Sequence, residues 1–181
     1  MDGIGPRAVF EEQVRPLLDA LYRTALRMTG HGASAEDLVQ ETVLRAWKSY
    51  GQFEKGTNFK AWLFTILTHA FINDYRRRSR APGLTDFTEI EPESRTESVH
   101  LAADDLQRLG DQLGDEALRA LERVPAEFRI VFLLSTFEDL TYKEIAAVLG
   151  VPIGTVMSRL FRARTLLREE LAAGARREST T

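Results

Sequence analysis

The chain of 181 residues contains no cysteine. That excludes a disulfide scaffold, a thiolate zinc site and a cysteine nucleophile. Six prolines and twelve glycines are too few for a loop-rich or fibrous protein. Long hydrophobic runs are missing as well. The uncharged stretch Ala61–Asn73 carries Thr and His and falls short of the ~20 apolar residues a spanning helix needs. The opening residues Met-Asp-Gly-Ile-Gly-Pro lack a basic region followed by an apolar one, so a cytoplasmic protein with no membrane contact of its own is expected. No run of four or more residues alternates in the way a strand demands. Gly-rich phosphate loops, Gly-x-Ser-x-Gly and His-Glu-x-x-His are absent. His31, His69 and His100 lie far apart, and Glu36 and Asp37 fall in a helix's first turn, where the macrodipole accounts for them. No enzyme, metal site or cofactor is expected.

What remains is 44% apolar and 28% charged, the composition of a globular protein of one domain or two small ones. The net charge of −3 conceals an asymmetry. Residues 86–116 hold ten acids and two bases, a net of −8, which leaves +5 on the remainder. Two mildly basic pieces flanking an acidic middle point towards nucleic acid.

The apolar pattern is helical throughout. Phe10, Val14, Leu17, Leu18, Leu21, Ala25 and Met28 predict one helix over 7–29, ended by Gly30-His31-Gly32. Ser34 and Asp37 have capping-box spacing for a second helix reaching about Tyr50, with Leu38, Val39, Thr42, Val43, Ala46 and Trp47 inside. Asn58 suits the N-cap of a third helix to about Ser79. From Arg80 to about Val99 the periodicity fails among Pro, Gly, Ser and acids, which is linker composition. Helical spacing returns near Asp104, and Pro125 suits the first turn of a further helix carrying Phe128, Val131, Phe132 and Leu134. The fold expected is all-α, with helical domains over 7–80 and 109–175 joined by a flexible acidic linker over 81–108.

Thr141-Tyr-Lys-Glu144 is a capping box opening a short helix, 142–149. Gly150 ends it, Val151-Pro152 turns the chain, and a longer helix runs from 153 or 154 to about Ala172, with Val156, Leu160, Ala163 and Leu167 facing in. Two helices joined by so short a turn form a helix-turn-helix. The second helix is expected to expose Thr155, Ser158, Arg159, Arg162 and Arg164. Such a face suits a major groove, with small residues for close approach and Arg for guanine edges and phosphates. A solvated basic face on a bundle helix is the plainer alternative.

In the first domain, Phe71-Ile-Asn-Asp-Tyr-Arg-Arg-Arg-Ser-Arg80 places four Arg in five positions just after Asn73 and Tyr75. Aromatics stack on unpaired bases, Arg holds phosphates, and Asn can read a base edge. Trp62 and Phe71 lie on the apolar stripe and fit the core better, whereas Asn73 and Arg76, Arg77 and Arg78 lie where the stripe runs out. On the second helix Asp37, Gln40, Glu41, Leu44, Arg45 and Lys48 fall on or beside the polar face. They suit intrahelical pairs or a docking face for another protein's helices.

The order of these pieces resembles an extracytoplasmic-function (ECF) sigma factor, the small class of bacterial RNA polymerase initiation factors. The resemblance covers about 10–79 and 115–172. Ala35-Glu-Asp-Leu-Val-Gln-Glu-Thr-Val-Leu-Arg-Ala-Trp47 looks like the family's core-polymerase-binding helix, which assigns Asp37, Gln40, Glu41, Leu44 and Arg45 to that contact. Phe59-Lys-Ala-Trp-Leu-Phe-Thr-Ile-Leu67 with Asn73-Asp-Tyr-Arg-Arg-Arg78 looks like the segment that opens and reads the minus-ten element. The resemblance implies minus-ten contacts from Trp62, Asn73, Tyr75, Arg76, Arg77 and Arg78, with Asn73 by a pocket for a flipped nontemplate base. Tyr142–Gly150 with Gly154-Thr-Val-Met-Ser-Arg-Leu-Phe-Arg-Ala-Arg164 looks like the minus-thirty-five reader. Thr155, Ser158, Arg159, Phe161, Arg162 and Arg164 are its implied contacts.

The partners so implied are core RNA polymerase, promoter DNA as duplex and as single nontemplate strand, and an anti-sigma factor. Met157 stands where many members carry Lys or Arg. With 56–62 it is similar to the thiol-responsive subgroup controlled by zinc-containing anti-sigma proteins. The chain lacks cysteine, so thiol sensing would reside in that partner. The acidic linker suits either a polymerase channel or a plain solvated spacer. The competing class is a stand-alone helix-turn-helix regulator, which leaves the Asn73–Arg80 cluster idle; a third is an adaptor with incidental basic patches.

Overall fold

The computed structural model describes residues 5–78 and 115–178. Every described element is helical, and no strand occurs among the described residues. The chain divides into two units, Met1–Arg80 and Ala81–Thr181. The proposed linker and the helical pattern starting near Asp104 fall largely outside the described residues.

The first unit contains α1 (Pro6–Val14), a 3-10 turn (Arg15–Leu17), α2 (Leu18–Thr29), α3 (Gly32–Ser49), a second 3-10 turn (Tyr50–Gln52) and α4 (Phe59–Arg78). The single helix expected over 7–29 is therefore two. Pro16 lies in the break, where it has no N–H to donate and its ring opposes a continuous ladder. Gly30 closes α2 as expected: its φ of 76° is left-handed and its N–H donates to the Leu26 carbonyl. The capping box expected at Ser34 does not form. α3 starts at Gly32 with His31 as N-cap and no side-chain cap. The left-handed turn at Gly30 resumes the helix so soon that Ala35 N–H already reaches the His31 carbonyl, and Ser34 is inside the first turn. Asn58 does cap α4, its Oδ1 accepting from Ala61 N–H at 3.0 Å.

Leu21, Ala25, Met28, Ala35, Leu38, Ala46, Leu63, Phe64 and Leu67 form this unit's core. Thr42 and Thr68 are buried with them and donate to the Leu38 and Phe64 carbonyls at 2.7 and 2.9 Å, so neither hydroxyl is left unsatisfied. Trp47, expected inside, is 40% exposed at the rim of an aromatic cluster with Phe10 and Tyr50.

The second unit contains α5 (Asp115–Arg123), α6 (Ala126–Thr136), α7 (Tyr142–Leu149) and α8 (Ile153–Glu178). Pro125 is the N-cap of α6 rather than its first helical residue. Its core includes Leu121, Val124, Ile130, Val131, Leu133, Leu134, Ile145, Val156, Leu160 and Ala163. Arg129 is buried among them and donates to the Leu121 and Glu122 carbonyls, which closes the end of α5 with a cation where the helix dipole favours one. α8 continues past Ala172 to Glu178, because the Ala, Arg and Glu that follow are good helix formers, Gly174 alone is a poor one, and no Pro stops them.

Candidate nucleic-acid interface

The helix-turn-helix is built by its own caps. Thr141 Oγ1 accepts from Glu144 N–H at 3.3 Å, and Glu144 Oε2 accepts from Thr141 N–H at 2.8 Å, the reciprocal box read from the sequence. At the other end of α7, Gly150 has φ 65° and donates to the Ala146 carbonyl. A residue with a Cβ would be strained there. Val151 N–H returns to the same carbonyl, and α8 begins two residues later.

α8 buries Val156, Leu160, Ala163 and Leu167. Of the residues expected outside, Phe161 and Arg162 are exposed, while Thr155, Ser158 and Arg164 are half-exposed. Arg159 is the correction: it is 1% exposed. It follows Val156 by three residues and precedes Ala163 by four, so helical periodicity carries it round to the inward face. Burial pulls its guanidinium below the ordinary value, and the charge of Glu127 on α6 opposes that pull. Glu127 is pushed up, first by its own burial, with Arg159 offsetting part of the rise.

Arg159 is thus part of the packing beneath α8 and does not share the exposed side on which the sequence placed it. Losing it altogether, as in Arg159→Ala, is expected to cost roughly 2–3 kcal/mol. The pair also sets a pH dependence. An acid whose folded pKa is raised loses stability as pH rises from its unfolded to its folded value. Arg159→Met removes the attraction that holds Glu127 down, so the variant's loss extends to higher pH. Wild type should therefore gain stability over Arg159→Met as pH rises through the range just above the ordinary carboxylate value. Denaturant unfolding of both proteins from pH 4 to 8 checks this; a difference that does not change with pH contradicts it.

In the first unit, α4 separates the residues that the sequence runs together. Phe71 is buried and Tyr75 half-buried, one turn apart with ring centroids at 5.9 Å. Asn73 lies on the opposite side and is exposed. The two aromatics next to Asn73 in sequence therefore do not flank it. The helix sets a different line along its outer side, Trp62, His69, Asn73 and Arg77, at steps of seven, four and four residues. Trp62 is half-buried at its start, against Phe53 at 5.0 Å and Phe59 at 5.6 Å. At ~1.5 Å per residue the line from Trp62 to Arg77 extends roughly 22 Å. His69, four residues before Asn73, is exposed on this line too, a position its spacing from Asn73 signals but the sequence reading did not use. Arg76 and Arg77 are exposed, with Arg77 paired to Asp74 at 2.7 Å. An exposed pair of this kind is worth only about 0.2–1 kcal/mol, so a phosphate can displace it.

α3 buries Ala35, Leu38, Thr42 and Ala46 and leaves Asp37, Gln40, Glu41, Arg45 and Lys48 exposed. Glu41 and Arg45 pair along the helix. Leu44, on the same outer side, is 60% exposed. Among the described residues, no cluster of three or more His, Asp or Glu is placed to hold a metal ion. Among the described residues no single helix is long and apolar enough to cross a membrane.

Two helical units, the second ending in a capped helix-turn-helix with an outward-facing basic helix, are the frame of a DNA-binding protein of the helix-turn-helix class. Residues 13–81 match the family model for Sigma-70 region 2, and residues 114–167 match that for Sigma-70, region 4. The chain is 37% identical over 179 residues to the ECF RNA polymerase sigma factor SigE of Mycolicibacterium smegmatis, covering 94% of this chain and 66% of that longer protein. It is 36% identical over 165 residues to the ECF RNA polymerase sigma factor SigL of Mycobacterium tuberculosis, covering 90% of this chain and 86% of that one. A crystal structure of the sigma factor RpoE of Bartonella quintana, in complex with the anti-sigma factor NepR, is similar with a TM-score of 0.69 and 32% identity, over 90% of this chain and 96% of that one. The chain belongs to the ECF sigma factors of the sigma-70 family, transcription initiation factors that direct RNA polymerase to promoters.

Proposed function

We propose that the two units divide the work of promoter recognition. Through the outer face of α3, with Asp37, Gln40, Glu41, Leu44 and Arg45, the first unit docks on core RNA polymerase. Its α4 then takes the melted nontemplate strand along Trp62, His69, Asn73, Arg76 and Arg77. The second unit reads the minus-thirty-five duplex with the exposed side of α8. The observation that carries this reading is the coincidence of two unlike surfaces in one chain: an outward helix face with an apolar residue at its centre, and a capped recognition helix with Arg162 exposed.

Arg162→Ala tests the duplex reader. If Arg162 reads a base, the change should cost roughly 1–3 kcal/mol and relax preference at one position. Binding to a panel of minus-thirty-five variants at several salt concentrations measures both. A variant equal to wild type in affinity, preference and salt slope contradicts the assignment.

In this reading the protein works in the cytoplasm, where its polymerase is, and an anti-sigma factor holds it inactive. The solved relative in complex with NepR supports a partner of that kind. The narrower reading is that the partner is a zinc-containing, thiol-sensing anti-sigma protein. It rests on Met157 and on 56–62, and on a chain that has no thiol of its own to sense with. Release of this chain from such a partner by oxidant, with the zinc, is the test.

A further inference from the structure

The outer side of α8 is not uniformly basic. Ile153, Met157 and Phe161 are 46%, 54% and 41% exposed and stand four residues apart, so they form an apolar ridge along the first turns of the helix. Beside the ridge run Gly154 and Ser158. A Cβ at Gly154 would meet nothing within 4 Å, so the strip next to the ridge is low and open. Cations lie close by: the exposed Arg162 beyond Ser158 on one side, and the half-exposed Arg164 and exposed Arg168, seven residues on from Met157 and Phe161, further along the ridge's own line. With Arg159 buried, the most exposed side chain of the ridge is Met157.

Large apolar side chains beside arginines fit a surface that is anionic outside and carries apolar points inside. Duplex DNA is such a surface. The apolar group on its major-groove floor is the C5-methyl of thymine, which cytosine lacks. The first turns of a recognition helix are the part that reaches the base edges. Four residues advance ~6 Å along a helix, close to two base steps at ~3.4 Å each.

We propose that Met157 and Phe161 select thymine in the minus-thirty-five element by packing on its C5-methyl, at positions within about two steps of each other, with Ile153 at the edge of the same contact. The selection is additional to the hydrogen bonding of Arg162, and it rests on α8 being the duplex reader, as argued above.

The test uses holoenzyme assembled from the full chain and core RNA polymerase. A preferred minus-thirty-five duplex is selected from a randomised library. Each thymine is then replaced singly by uracil, which removes the methyl and leaves the pairing unchanged. Wild type should lose about fourfold in affinity at one or two positions, the fold-change of one buried methyl. Met157→Ala or Phe161→Ala should bind thymine and uracil equally at its own position and keep the preference at the other. Both side chains are exposed, so unfolding midpoints should not move. Equal binding of thymine and uracil at every position by wild type overturns the inference. So does a methyl effect that both variants retain. If Arg162→Ala still relaxes one position in either case, α8 remains the reader and only the ridge has failed. If Arg162→Ala changes nothing as well, the duplex-reading role fails with it. A free chain that sediments as a dimer, and as a monomer after Met157→Ala, with thymine and uracil equivalent, gives the ridge to a second copy and overturns the inference.

Discussion

Leu44→Asp is expected to weaken binding to core RNA polymerase by more than thirtyfold. Leu44 is 60% exposed on the outer side of α3 among the described residues. An apolar residue ringed by Asp37, Gln40, Glu41 and Arg45 has the composition of an interface anchor. Such anchors cost about 2 kcal/mol or more when lost, which corresponds to that fold-change. A carboxylate in its place would also have to be desolvated on docking. Asp37→Lys with Glu41→Lys should weaken binding in the same direction, by reversing the charge at the rim. The fold should survive all three, since changes at exposed positions usually shift stability within about ±0.5 kcal/mol. Removing Glu41 forfeits only its exposed pair with Arg45, worth about 0.3–0.5 kcal/mol along a helix. A titration of labelled protein with core polymerase reads the effect; unchanged affinity in Leu44→Asp would move the docking face elsewhere.

Asn73→Ala is expected to impair promoter opening by roughly ten- to hundredfold, the cost of leaving one buried base edge without its partner. Extruding a base costs a few kcal/mol of stacking and pairing, which the receiving surface must offset. The Asn amide offers both a donor and an acceptor to the base edge. Because Asn73 is exposed, on the side of α4 away from buried Phe71, the substitution removes those groups without disturbing the core. Permanganate footprinting of the opened strand should show the loss, and one minus-ten position should lose its preference. Minus-thirty-five binding should hardly change. Full opening with unaltered preference would return Asn73 to an ordinary helix surface.

These two expectations differ in how much of them the sequence alone carried. Local signals with their own geometry were legible. Asn58, the Thr141–Glu144 box, Gly30 and Gly150 sit where hydrogen bonds or a left-handed backbone require them. What failed was the step from neighbours in sequence to neighbours on a surface. Asn73 is adjacent to Phe71 and Tyr75 along the chain and opposite them on the helix. Arg159 was grouped with the basic residues around it, yet its spacing from Val156 and Ala163 already marked it as inward. The aliphatic stem that lets an arginine line a core was given less weight than its charge. The break at Pro16 and the absent cap at Ser34 are the converse case. There the apolar period continued through a point where backbone hydrogen bonding could not. His69 shows no ligand spacing to another histidine, and its place beside Asn73 emerges only from the helical step of four that puts both on the outer side of α4.

The central claim is that this chain confers promoter choice on polymerase through two surfaces used together. Run-off transcription with purified core RNA polymerase, across a library of genomic promoters, tests it most directly. With the chain added, transcripts should start at a defined subset of promoters, and scrambling either the minus-ten or the minus-thirty-five element of those promoters should abolish them. Core polymerase without the chain should give none of these starts. If the chain instead binds duplex DNA by itself with full sequence preference, and no transcript depends on its presence with core, the two-surface account is contradicted and a stand-alone helix-turn-helix regulator takes its place.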